Sequence, residues 1–215
     1  GTHPLSKAEH LLSSPTFMND LPQTFMEPLL FTTACKRGTR ARMSMEYKSH
    51  AQDADGVTTT CLDRLTGKEV KIRSKYLIGA DGGNSLVAEN EKLPIEGKMG
   101  VGGSMNILFR ADLSKYVAHR PSVLYWIMQP GADVGGIGMG LVRMIRPWNE
   151  WLIVWGYDVT QPAPKVDEAM ATDVARQLIG DPELEIELLS ANTWTVNDAY
   201  ATQLSKGRVF IMGDA

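Results

Sequence analysis

The sequence predicts a mixed α/β fold, an open sheet interrupted by an inserted antiparallel sheet. Three observations carry that prediction. Residues 76–78, Tyr-Leu-Ile, form an apolar strand that empties into Gly79-Ala80-Asp81-Gly82-Gly83-Asn84-Ser85. Residues 207–215, Gly-Arg-Val-Phe-Ile-Met-Gly-Asp-Ala, repeat the pattern of strand then Gly-Asp far along the chain. Between the two, residues 105–157 read as long strands joined by short turns.

The elements follow in order. Residues 1–20, with Pro4 and Pro15, read as loop-rich. Thr24 and Glu27 have capping-box spacing, so a helix is predicted from there to Lys36 with Gly38 as its stop. Pro28 falls in the first turns, where proline does least damage. Strands are predicted over 39–52 and 57–63 around the turn Asp53-Ala54-Asp55-Gly56, and 69–78 returns toward the first Gly-Asp motif. Residues 52–56 read as a solvated acidic turn.

Further strands are predicted over 105–110, 123–129, 137–145 and 151–157, with turn formers at 130–133 and 146–149. Trp126, Trp151 and Trp155 lie at strand spacing and read as core. Gly136-Ile137-Gly138-Met139-Gly140 imitates a dinucleotide fingerprint, but position 141 is Leu and the stretch continues as a strand. Alternate glycines there leave room beside the backbone, with a bulge the plainer reading. Residues 166–179 predict an amphipathic helix with Val166, Met170, Val174 and Leu178 on one stripe and Gly180 as its stop. A last strand over 185–194 leads back toward the second motif.

Composition excludes several classes. With 215 residues, 43% hydrophobic and five Trp, the chain can bury a sizeable core. A net charge of −3 leaves no basic footprint for nucleic acid. No apolar run approaches the roughly 20 residues that span a bilayer. Cys35 and Cys61 have no metal or disulfide spacing and suit the reduced thiols of a cytoplasmic protein. The four His are scattered, so no metal site is expected. The chain starts at Gly1 without Met and stops at Ala215 directly after the second motif, so it is expected to be an internal piece of a longer protein.

An Asp at the carboxyl end of a buried strand can accept hydrogen bonds from a ribose or ribityl hydroxyl, and open sheets bind ligands at that edge. A helix that follows can offer its N-terminus to a pyrophosphate. Position by position, Asp81, Gly82, Ser85 and Gly213, Asp214, Ala215 resemble the two flavin motifs of the class A flavoprotein aromatic hydroxylases, the family that includes para-hydroxybenzoate and phenol hydroxylases. Leu21-Pro22-Gln23 is similar to a third family feature, a Leu-x-Gln whose Gln serves the flavin. The family usually closes the first motif with Arg. Ala88 stands here, and a nicotinamide-binding role does not carry over to it.

The resemblance runs from Leu21 to Ala215. It implies part of an FAD-binding, Rossmann-like domain over 1–90, an antiparallel substrate-binding β-sheet domain over 91–195, and a return to the FAD-binding domain over 196–215. FAD would be held by Gln23, Asp81, Gly82, Gly213 and Asp214, with NADPH as co-substrate. The implied reaction is hydroxylation of a phenol or chlorophenol ortho to its hydroxyl with NADPH and O2, giving a catechol. Another FAD-dependent oxidoreductase of the same fold, acting on another phenolic substrate or serving as an isoprenoid reductase or epoxidase, is the alternative. The resemblance names no catalytic residue. By strand parity Val142, Met144 and Leu152 are expected to share a pocket face, whose lack of charge suits chlorine better than a carboxylate. Arg143 and Arg146 have the reach to meet a phenolate and read first as surface cations. A homo-oligomer without membrane or nucleic-acid partner is expected.

Overall fold

The structure, a computed structural model, describes residues 12–13, 15–16, 20–128 and 139–215. Helix α1 (Gln23–Lys36) is capped at Pro22, two residues earlier than the capping box requires. Thr24 therefore lies inside the first turn and caps nothing. Glu27 instead accepts a hydrogen bond from the Gln23 amide. No residue of α1 is buried. Its start is tethered to the large sheet by an Asp20–Arg143 ion pair at 2.6 Å and by the Arg146 guanidinium, 4.5 Å above the Phe25 ring.

Strands β1 (Met45–Gln52), β2 (Val57–Asp63) and β3 (Lys68–Ser74) make an antiparallel sheet in that order. The predicted strand 39–52 forms only from Met45 onward. Asp53 shapes the first turn by accepting from the N–H groups of Asp55 at 2.9 Å and Gly56 at 3.0 Å. The predicted run 69–78 divides. β3 ends at Ser74, and β4 (Leu77–Gly79) belongs to another sheet, because the Leu77 N–H is taken by the Arg208 carbonyl at 3.0 Å.

The chain then continues through α2 (Leu86–Glu91), β5 (Ile95–Arg110), α3 (Ser114–Val117), β6 (Leu124–Met128), β7 (Met139–Arg146), β8 (Glu150–Tyr157), α4 (Glu168–Ile179), β9 (Glu187–Ala201), β10 (Ser205–Lys206) and β11 (Val209–Ile211). β11 pairs in parallel with β4, and β10 pairs antiparallel with β11. The large sheet has five strands in the order β6-β7-β8-β5-β9, all antiparallel neighbours. β9 crosses residues 195 and 196 without a break. The glycine run 136–138 and the turn 130–133 lie outside the described residues.

Helix α4 covers one face of the large sheet and creates the main core. Asp167 caps it by accepting from the Met170 N–H at 3.0 Å, and Gly180, with φ 78°, ends it in the left-handed region. Val174, Leu178, Ala171 and Ala175 point inward against Trp151, Ile153, Ile107 and Phe109. Trp151 and Trp155 are core as predicted, whereas Trp126 is 59% exposed, because its strand parity sets it on the sheet face away from α4. Gly140 is a packing residue: a Cβ there would sit 2.2 Å from Leu178 Cδ2. Gly140→Ala should therefore overpack the α4 contact and lower stability by about 1–3 kcal/mol. Thermal melting of the variant checks this, and an unchanged midpoint would show that α4 sits farther from β7.

The small parallel sheet is less enclosed than its apolar sequence suggests. Val209 and Ile211 are buried against α2 and Val57, yet Tyr76, Ile78 and Phe210 on the other face are 56%, 60% and 39% exposed. This sheet is thus buried on one face only. Among the described residues no helix covers the second face.

Candidate functional site

The parallel pairing of β4 with β11 brings the two Gly-Asp tips together at one sheet edge. Gly79 aligns with Ile211, and the Met212 N–H donates to the Gly79 carbonyl at 3.0 Å. Gly82 and Gly213 take φ of 81° and 72°, where a side chain would be strained. The tips nearly touch, since a Cβ on Gly83 would lie 3.7 Å from the Asp214 carbonyl.

The two carboxylates differ in what they do. Asp81 accepts from the Ser85 hydroxyl at 2.6 Å and the Val87 N–H at 3.3 Å, while Ser85 Oγ accepts from the Ala88 N–H at 3.0 Å. Asp81 and Ser85 together cap α2 and hold its turn. Asp214 makes no hydrogen bond or ion pair among the described residues and remains free for a ligand. Ala88 is 2% exposed and packs with Val87, Leu93 and Val209, so the position where the family carries Arg is here part of the core.

A cleft of about 940 Å³ opens beside the tips, lined by Gly83, Ser85, Gly213 and Asp214 on one side and by Trp194 and Tyr200 of β9 on the other. A flat, polyhydroxylated cofactor fits these surroundings: tips without Cβ atoms at Gly83 and Gly213, a carboxylate without a partner among the described residues, and an aromatic wall. Asp81 and Gly82 stand behind the cleft rather than along it. Gln23 is not brought to it; it begins the exposed α1 and spends its amide on Glu27.

The expected shared face of Val142, Met144 and Leu152 does not form. In the register Met144 lies opposite Trp151 and Val142 opposite Ile153, while Leu152 lies opposite Arg143. Val142, 3% exposed, and Met144 therefore pack into the core under α4, and Leu152 faces the opposite way. Parity within one strand cannot supply the register between two. The face that α4 leaves open carries Leu152, Val154, Leu108, Asn106, Trp194 and Trp126. Trp194 belongs both to this face and to the cleft. Arg143 is engaged by Asp20 at 2.6 Å, and Arg146 lies 3.6 Å from Glu150.

A buried polar brace, invisible to motif reading, fixes the tips relative to each other. Glu91, at the end of α2, accepts from Gln52 Nε2 at 2.7 Å and pairs with His50 Nε2 at 2.7 Å and Lys206 Nζ at 3.4 Å. Gln52 also accepts from the Arg208 N–H at 2.9 Å, so one side chain joins the helix after the first motif to the strand before the second. The turn expected to be merely solvated thus begins with a structural clamp. Burial pushes the Glu91 carboxyl up, but hydrogen bonds from His50, Gln52 and Lys206 outweigh it and hold the group below the usual carboxylate range. Cys35 and Cys61 are free thiols. Among the described residues no cluster of His, Cys, Asp and Glu could hold a metal, and no helix is long and apolar enough to cross a membrane.

The chain is similar to known proteins. 2,4-Dichlorophenol 6-monooxygenase of Cupriavidus pinatubonensis (strain JMP 134 / LMG 1197) is 54% identical over 215 residues, covering 100% of this chain and 36% of that enzyme. Phenol 2-monooxygenase of Pseudomonas sp. (strain EST1001) is 45% identical, covering 100% of this chain and 34% of that enzyme. The chain thus spans about a third of the length of these relatives. The crystal structure of the flavin-dependent monooxygenase PieE in complex with FAD and substrate superposes with a TM-score of 0.88 at 35% identity, covering 99% of this chain and 37% of that one. The family described as FAD binding domain matches residues 3–215. Because that match runs through both Gly-Asp tips and the whole sheet between them, the chain belongs to the FAD binding domain family.

Proposed function

We propose that this chain is the flavin-holding and substrate-covering part of an FAD-dependent monooxygenase that hydroxylates a phenol, preferentially a chlorinated one, ortho to its hydroxyl with NADPH and O2, giving a catechol. One observation carries the reading: the Asp214 carboxylate just beyond β11, without a partner among the described residues, shares a cleft with Trp194, which continues onto an apolar open sheet face. The names of the relatives, 2,4-dichlorophenol 6-monooxygenase and phenol 2-monooxygenase, support the same reaction class. In this proposal 1–90 and 196–215 complete the FAD-binding part and 91–195 covers the substrate.

Bound FAD would supply the redox chemistry, accepting hydride from the nicotinamide and activating dioxygen. Asp214 would accept from its hydroxyls and Gly213 would admit its close approach. Asp81 and Gly82 would act one step back, by shaping the turn before α2, and Gln23 would serve only if α1 closes toward the cleft. Leu152, Val154 and Leu108 would keep water from the reacting ring. Val142 and Met144 would support that wall from behind. The two free thiols suit a reducing compartment, so we place the protein in the cytoplasm. Exposed Leu29, Leu30 and Phe31 on α1 suit contact with further protein, including a second copy in a homo-oligomer.

Phenol-stimulated NADPH oxidation coupled to catechol formation in the full-length protein tests the proposal, with NADH in a parallel arm. NADPH oxidation without hydroxylated product for any phenol would favour a reductase. Substrate preference gives a sharper prediction. A carboxylate on the open face would lose hydration and find Arg143 already engaged by Asp20, a penalty of several kcal/mol, on the order of 3. The specificity constant for 2,4-dichlorophenol should exceed that for 4-hydroxybenzoate by at least about 100-fold. Equal constants would show that another surface lines the pocket.

A further inference from the structure

Near the middle of the open sheet face the apolar pattern is broken by a pair of amides. Asn106 of β5 stands directly opposite Asn192 of β9 and opposite Val154 of β8, with Leu108 and Leu152 as the next pair along the same face. Asn106 is half-buried, and among the described residues its side chain makes one hydrogen bond, accepting from the indole Nε1–H of Trp194 on its Oδ1 at 3.2 Å. An indole N–H donates and never accepts, so the oxygen end of the amide must face Trp194. The NH2 end is thereby turned away from the indole, with no partner among the described residues.

Unmatched donors set in an apolar wall favour one kind of ligand atom, a compact and strongly accepting oxygen carried on an apolar ring. A phenolate has this chemistry. A chlorine substituent would lie against Leu108, Leu152 or Val154, while the oxygen meets the amide. Trp194 also lines the cleft beside Asp214, so the same residue that orients Asn106 borders the space assigned to the cofactor. We propose that Asn106, oriented by Trp194, receives the phenolic oxygen of the substrate, donates a hydrogen bond that favours its ionised form, and thereby sets which ring carbon faces the flavin. This specificity role rests on the reading of the open face as the substrate wall.

The test uses the full-length, FAD-loaded protein and four variants, Asn106→Leu, Asn106→Asp, Trp194→Phe and Leu152→Asp, each checked for flavin content. Binding of 2,4-dichlorophenol is followed by its perturbation of the flavin spectrum, with 2,4-dichloroanisole, which cannot ionise, as the comparison ligand. Asn106→Leu should retain flavin and bind the phenol about 10- to 100-fold more weakly, the loss of one hydrogen bond to a charged oxygen. Its affinity for the anisole should stay within about 3-fold. Asn106→Asp, of the same shape but repelling phenolate, should lose at least as much, and Trp194→Phe should lose less because it only frees the amide to rotate. Leu152→Asp separates the two layers of inference. If it abolishes phenol binding while Asn106→Leu and Asn106→Asp bind normally, the wall stands and the role of Asn106 is overturned. If all of them bind normally, the open face is not the substrate wall and both readings fall.

Discussion

Replacing Asp214 by Ala in the full-length protein should strip it of FAD while leaving the fold intact. The carboxylate stands at the tip of β11 without a hydrogen bond or ion pair inside the described chain, so its removal costs the fold little, within about 0.5 kcal/mol. A charge-assisted hydrogen bond to a cofactor hydroxyl is worth more, and its loss should weaken FAD binding by roughly 10- to 100-fold. Flavin absorbance retained after gel filtration, set beside the melting temperature of the apoprotein, reads the two effects separately. Asp81→Ala should behave differently, because Asp81 accepts from Ser85 Oγ and the Val87 N–H and its loss uncaps α2. That variant should lose about 1 kcal/mol of stability together with flavin affinity. Stoichiometric flavin in Asp214→Ala with unchanged affinity would remove the assignment.

The second large effect is expected at Glu91, where Ala should destabilise the protein by about 3 kcal/mol. Its side chain is 9% exposed and His50 beside it 3%, so the substitution leaves a buried imidazole without its carboxylate acceptor and leaves the Gln52 amide only the Lys206 carbonyl, at 3.1 Å. Lys206 is 55% exposed and can turn to water, which holds the cost at the lower end for a broken buried pair. The sign of the pH dependence follows from the direction of the shift. Because the folded carboxyl is held below its ordinary value, its contribution is present above that value and disappears as the pH falls through the folded one. Melting temperatures measured from about pH 7 down to about pH 3 should fall in the parent and fall less steeply in Glu91→Gln, which has no charge to lose. Parallel acid limbs would mean that Glu91 does not carry this part of the acid sensitivity.

The same brace explains why the two tips can act together although they are far apart in sequence. Gln52 reaches Glu91 across 39 residues and Arg208 across 156. No local pattern announces such a contact. Each partner alone is an ordinary polar residue, and only the crossing of β1 over α2 and β10 makes the set a clamp.

What the chain determined by itself is everything that rests on local backbone geometry. Asp81-Gly82 and Gly213-Asp214 are legible because positive φ restricts the glycines and a strand end dictates where the next side chain goes. Ser85, Asp167 and Gly180 mark helix ends by chemistry contained within a few residues, and α4 shows its apolar stripe at helical spacing. Thr24 misled because Pro22 already occupies the N-cap position, where Thr24 would have to stand. The register between β7 and β8, with its irregularity between Met144 and Arg146, is set by packing on α4 and by pairing with β5, and neither is written in either strand. That register sends Val142 and Met144 into the core and leaves Leu152 beside Val154 and Asn106 on the open face. A shift of one residue turns every side chain of a strand to the other side, so only the tertiary structure could decide which residues of this protein face a substrate.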